Sequence, residues 1–110
     1  MSRVLFVGAH PDDVELGCGG TIDKLIREGA SVKVISIAEG SSCRYGNAEE
    51  IKKAIEFRTN CSIKSLKSLG VDFYSFYNLP CGMLNSVPLL DINRIIEKEI
   101  KEFRPECVYT

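Results

Sequence analysis

At 110 residues the chain is one domain, residues 1–110, with 45% hydrophobic and 26% charged residues, an ordinary balance for a globular fold. A formal net charge of −1 without a basic stripe argues against a nucleic-acid partner. No apolar run approaches the roughly 20 residues of a membrane span.

The first element expected is a strand over residues 3–8, apolar without alternation and therefore buried on both faces. Its apolar run is too short for a signal-peptide core. Ile22, Leu25 and Ile26 then recur at helical spacing, and Gly29 supplies a stop. Residues 32–37 form a β-branched second strand. Asn47, with Glu50 three residues later, suits a capping box that opens a second helix. Ile51, Ala54, Ile55, Leu66 and Leu69 share an approximate stripe on that helix, and Gly70 ends it. Residues 73–76 read as a third strand. Pro88 suits the first turn of a third helix, whose apolar face is Ile92, Ile95, Ile96, Ile100 and Phe103. Pro105 stops it, and residues 107–109 begin a fourth strand. The order β-α-β-α-β-α-β implies an α/β, Rossmann-like, doubly wound and mainly parallel sheet.

The five cysteines, Cys18, Cys43, Cys61, Cys81 and Cys107, are scattered, odd in number and free of any C-x-x-C pair, which excludes a zinc ribbon. Without an export signal they are expected to be reduced thiols in the cytoplasm.

The chemistry lies in residues 8–21, GAHPDDVELGCGGT, which leave the first strand at its carboxyl end. Ligands of open α/β sheets bind beyond that edge. His10, Asp12, Asp13 and Glu15 fall within six residues. Neutral imidazole plus carboxylate is a zinc-type donor set, and a neighbouring free carboxylate can act as general base. Pro11 stiffens the loop, so adjacent acids can point in different directions. Three readings compete. Pro-Asp-Asp can be a plain turn and helix cap beside a solvated histidine. Residues 17–20, GCGG, can be a phosphate loop, although Ile22 occupies the last glycine position of G-x-G-x-x-G and three acids precede it. The third is a hydrolytic metal site.

Residues 9–20 reproduce in full the hallmark A-H-P-D-D-x-x-x-G-C-G-G of the LmbE-like, or PIG-L-like, family of zinc-dependent N-acetylglucosamine-type deacetylases, and the chain resembles that family. Arg58 followed by Leu69-Gly70 is similar to its R-x-x-E…L-G-V helix. Residues 79–84, LPCGML, are similar to its F-P-D-G-x-L turn, and residues 104–110, RPECVYT, to its R-P-D-V-V-x-T strand. The resemblance covers essentially the whole chain but about the first half of a family member. It implies that His10 and Asp13 are zinc ligands, with another divalent metal as the alternative. Asp12 would be the general base and Arg58 a substrate-binding residue, against the plainer reading of Arg58 as a solvated helix residue. The implied substrate is a small N-acetylated amino sugar, deacetylated by metal-activated water.

The departures from the family pattern are specific. The family's third zinc ligand is a histidine in an H-x-x-D-H-like segment after the strand resembled by residues 104–110, and His10 is the single histidine here. Two protein donors fall one short of an ordinary catalytic zinc site. Weak zinc binding and little turnover by this chain alone are therefore expected, with Cys81, Cys43 or Glu15 as candidate extra donors. Cys81 stands where the D-G turn has its acid, and Cys61 where the glutamate follows Arg58; both are expected to be small apolar fillers. An uncovered fourth strand would invite self-association or a partner fragment. The competing function is a non-catalytic α/β domain with at most weak metal or sugar binding.

Overall fold

A computed structural model describes residues 2–41, 46–79 and 87–110. Cys43, Cys81 and residues 80–84 of the LPCGML turn lie outside the described residues.

Four strands, β1 (Arg3–Gly8), β2 (Ser31–Ala38), β3 (Phe73–Leu79) and β4 (Cys107–Tyr109), form one parallel sheet in the order β3-β2-β1-β4. Helices α1 (Asp13–Arg27), α2 (Ala48–Ser68) and α3 (Leu89–Phe103) connect them. The expected α/β, Rossmann-like architecture is what the chain adopts.

β1 pairs on both sides, Val4 with Val32 and Cys107, Phe6 with Val34 and Tyr109. Because side chains alternate along a strand, β1 feeds two cores. Val4 and Phe6 join Val32, Val34, Ile22 and Leu66 beneath α1 and α2. Leu5 joins Ile35 and Ile37 on the opposite face, where Ile95, Ile96 and Phe103 of α3 close over them. Burial on both faces is why β1 has no polar alternation. The strand order reverses beside β1, which places the loop after β1 at the switch point where such sheets take ligands.

Local signals set the helix ends. Gly29 and Gly70 adopt left-handed backbone after α1 and α2, at φ 91° and 88°. Asn47 caps α2, its Oδ1 accepting from the Glu50 backbone N–H at 2.8 Å. Pro88 is the cap of α3 and not part of its first turn, because its ψ of 129° is extended. β3 runs to Leu79, beyond the expected four residues.

The apolar face of α3 departs from expectation. Ile100 is exposed, and Glu99 occupies the buried centre of the face at 2% exposure. Helical geometry explains this: residue 99 is i+4 from Ile95, i+3 from Ile96 and i−4 from Phe103. Lys33, on the same face of β2 as Ile35 and Ile37, brings its Nζ to 2.6 Å from Glu99 Oε2, and the Tyr77 hydroxyl donates to Glu99 Oε1. On α2, Ile51, Ala54 and Ile55 are only half-buried, and Ser62 and Leu66 are the buried contacts.

β4 forms the sheet edge with all three residues exposed, although Tyr109 stacks on Phe6 at 4.8 Å between ring centroids. No helix among the described residues is long and apolar enough to cross a membrane.

Candidate metal centre

β1 ends at Gly8, where a Cβ would lie 2.7 Å from Val14 Cγ2; the missing side chain lets α1 fold back over the strand end. The chain then turns through His10, buried Pro11 and Asp12, with the Asp13 N–H donating to the His10 carbonyl at 3.3 Å. Asp12 has φ 81°, left-handed backbone, a conformation that Asp tolerates better than most residues. It caps α1 without a side-chain cap hydrogen bond. Its carboxylate is therefore free to turn elsewhere.

The left-handed residue sends the neighbouring acids apart. Asp13 Oδ2 accepts from the His10 backbone N–H at 3.0 Å and lies 3.3 Å from His10 Nδ1. Asp12 Oδ2 lies 3.4 Å from Arg58 Nη2. The His10–Asp13 separation bears on metal binding. It exceeds the usual 2.7–3.2 Å range of an N–H···O bond. Two donors with bonds of about 2.0–2.1 Å to one tetrahedral zinc are spaced about 3.3–3.4 Å apart. The side chains are 33% and 46% exposed, so both can meet an ion from solvent. This donor pair fits a divalent metal.

Arg58 reaches in from the middle of α2. Nη1 donates to the Gly40 carbonyl, and Nη2 to the Pro11 carbonyl at 3.2 Å and to Asp12 Oδ2 at 3.4 Å. The guanidinium thus clasps the loops after β1 and β2, and the end of β2 also holds the first loop, the Ala38 N–H donating to the Ala9 carbonyl at 2.7 Å. Arg58 is neither solvated nor remote; its side chain is 23% exposed.

Glu39, Gly40 and Ser41, which no motif in the sequence marks, also border this loop. Glu39 and Ser41 are buried, and the Ser41 backbone N–H donates to the Glu39 carboxylate. Between them Gly40 has φ 79°, and a Cβ there would overlap the Arg58 guanidinium and lie 3.4 Å from His10 Cδ2. An acid-glycine-serine step at the carboxyl end of a β-branched strand was the available signal. Gly40→Ala is expected to cost about 1–3 kcal/mol of stability through backbone strain, before the Arg58 clash is added. Urea denaturation of the variant against the parent chain measures it.

Glu15 faces away from the His10–Asp13 pair. Ser62 Oγ donates to its Oε2 at 2.7 Å, while Oε1 is buried without a protein partner. Burial chiefly pushes the Glu15 carboxyl up, with the Asp12 and Asp13 charges adding to it and the Ser62 hydrogen bond opposing it. Among the described residues, no group of three or more His, Cys, Asp or Glu side chains is arranged to hold a metal. Cys61 is exposed, which corrects its expected role as an apolar filler, whereas Cys18 packs half-buried against the α1/α2 core.

Comparison with known proteins adds three findings. Residues 5–110 match the family model described as PIG-L, GlcNAc-PI de-N-acetylase. The chain is 34% identical to a 1D-myo-inositol 2-acetamido-2-deoxy-alpha-D-glucopyranoside deacetylase of Mycobacterium sp. strain KMS, over 98% of the chain and 42% of that protein. It thus spans less than half the length of that curated relative. In solved structures, it superposes on N,N'-diacetylchitobiose deacetylase from Pyrococcus horikoshii with TM-score 0.84 at 24% identity, covering 97% of this chain and 39% of that one. GalB, a 4-carboxy-2-hydroxymuconate hydratase from Pseudomonas putida KT2440, superposes with TM-score 0.78 at 20% identity, covering 98% and 46%. These two structural likenesses establish the fold.

Proposed function

The chain belongs to the GlcNAc-PI de-N-acetylase (PIG-L) family, and from that premise we propose that it supplies the first part of a metal-dependent N-deacetylase site acting on an N-acetylglucosamine-type sugar. Since the fold also serves a hydratase, architecture alone does not select this reaction. The observation that carries the reading is the divergence of Asp12 from Asp13. One acid joins His10 as a donor pair, and the next is held apart by Arg58.

His10 and Asp13 would hold zinc, or another divalent metal in its place. Bound there, the ion would supply Lewis acidity toward water and toward an amide carbonyl. Asp12 accepts the proton of the attacking water and returns it to the departing amine as the C–N bond breaks. The products are acetate and a free amino sugar. Arg58 fixes the Asp12 carboxylate through its clasp on the two loops, and its charge is available to substrate oxygens at the rim of the site.

A second reading, a domain that binds metal or sugar weakly without turnover, is favoured by the absence of a third donor among the described residues. Cys43 and Cys81 lie outside those residues. Acetate release separates the two readings. The test is an assay with zinc and N-acetylglucosamine derivatives, on this chain alone and on a protein that carries it within a longer domain. Turnover by the longer protein, lost on metal removal and restored by zinc, supports the deacetylase. A longer protein that binds zinc tightly and releases no acetate from any of these sugars contradicts it.

A further inference from the structure

Asp12 is held by a guanidinium, and the guanidinium is held by a backbone turn. Arg58 Nη1 donates to the Gly40 carbonyl, and Nη2 donates to the Pro11 carbonyl and to Asp12 Oδ2. A carbonyl points where its planar peptide points, so the seat of Arg58 depends on what fixes the backbone at residue 40. Gly40 has no side chain to fix it, and its φ of 79° is one of several conformations open to glycine.

Glu39 supplies the restraint. Its backbone N–H donates to the Leu79 carbonyl at 3.0 Å, which ties residue 39 to the end of β3. Its carboxylate folds over the glycine, Oε2 accepting from the Ser41 backbone N–H, and closes the turn. The Ser41 hydroxyl is buried with no hydrogen-bond partner among the described residues, so it takes no part in that closure. Glu39 is 4% exposed and does not line the groove between α1 and α2 that Asp12 and Arg58 line. It therefore acts on the site through the backbone it holds and not by touching a ligand in that groove.

We propose that Glu39 is a positioning residue: by closing the turn around Gly40 it fixes the carbonyl that seats Arg58, and Arg58 aims the Asp12 carboxylate. Its consequence for turnover rests on the deacetylase reading, in which Asp12 is the general base. Misplacing a reacting group by about 1 Å costs about 10²-fold in rate, so loosening at Gly40 is felt at Asp12.

The test compares Glu39→Met, Glu39→Ala, Glu39→Gln and Ser41→Ala with the parent 110-residue chain by NMR, following solvent exchange of the Arg58 guanidinium protons. Methionine and alanine both remove the acceptor, and methionine fills the volume so that the fold survives; glutamine keeps an accepting oxygen. Exchange should quicken by about 10–100-fold in Glu39→Met and Glu39→Ala, the range of one lost hydrogen bond to a charged group. Glu39→Gln and Ser41→Ala should stay at the parent rate. Unchanged exchange in Glu39→Met overturns the proposal, as does a Glu39→Gln chain as loose as Glu39→Met. In a longer protein that carries this chain and releases acetate, Glu39→Met should lower kcat by about 10²-fold. On top of Asp12→Asn it should add little, because both substitutions then act on one group. A loss that adds in full to that of Asp12→Asn marks a merely structural role and overturns the proposal. A longer protein that releases no acetate removes the deacetylase reading, and the Arg58 exchange still decides whether Glu39 holds the guanidinium.

Discussion

In a protein that carries this chain and releases acetate, Asp12→Asn is expected to lower turnover by about 10²–10⁴-fold, the usual contribution of a general base, while leaving metal content intact. The expectation follows from the geometry of the loop. Left-handed backbone at Asp12 turns its carboxylate toward Arg58, away from the His10–Asp13 pair. Asparagine keeps the size of the side chain and tolerates left-handed backbone, so the variant loses proton acceptance and not the turn. Steady-state acetate release and metal analysis on the same preparation check both halves. Full activity in Asp12→Asn would remove Asp12 from the mechanism.

Lys33→Met is expected to have the largest effect on stability, a loss of about 3–5 kcal/mol. Glu99 is 2% exposed, and Lys33 Nζ lies 2.6 Å from its Oε2. Removing the ammonium leaves a carboxylate in the apolar interface between sheet and α3, with the Tyr77 hydroxyl still donating to it. Against the roughly 5–15 kcal/mol of an ordinary domain, that loss is severe. Lys33→Met/Glu99→Met should recover most of it, because an apolar pair of similar volume often replaces a buried ion pair at no cost. Urea denaturation of the two variants against the parent chain gives the comparison, and a single variant within about 1 kcal/mol of the parent would contradict the account.

The same cluster sets a pH dependence. Burial pushes the Glu99 carboxyl up, but Lys33, Tyr77 and Ser75 outweigh it and leave the group below its ordinary value. A carboxyl depressed in the folded chain contributes fully above its unfolded pKa of about 4.3, and the contribution disappears as pH falls through the lower folded value. Burial, together with the hydrogen bond to Glu99 and its charge, pushes the Tyr77 hydroxyl up to about 12, so its share is lost as pH rises from about 10 toward that value. The parent chain should therefore lose stability at both extremes, and the double variant should be flatter at both.

What the sequence made legible was local. Gly29, Gly70 and the Asn47 cap mark helix ends through contacts within a few residues, and the unbroken apolar run of β1 signals burial on two faces. The His10-Pro11-Asp12-Asp13 string marks its loop as the candidate site. What stayed hidden depends on contacts distant in sequence. The Arg58 clasp joins residues up to 47 positions apart, and the need for glycine at position 40 appears only once that guanidinium is in place. The burial of Glu99 has no local signal because its partners, Lys33 and Tyr77, come from two strands. Ile100 belongs to the expected apolar face by its hydrophobicity, yet it is exposed and Glu99 holds the centre of that face. The parting of Asp12 and Asp13 follows from one left-handed residue, which no periodicity reveals.

Zinc titration by calorimetry into the 110-residue chain and its His10→Ala, Asp13→Ala and Asp12→Asn variants tests the division of labour in the loop most directly. The parent chain should bind zinc weakly, as a site with two donors does. Loss of a group that merely supports a ligand already costs about 10–100-fold in metal affinity. His10→Ala and Asp13→Ala should each weaken binding by at least that much, and Asp12→Asn should match the parent. An Asp12→Asn protein that loses zinc as completely as His10→Ala would make Asp12 a ligand and contradict the assignment of its neighbour.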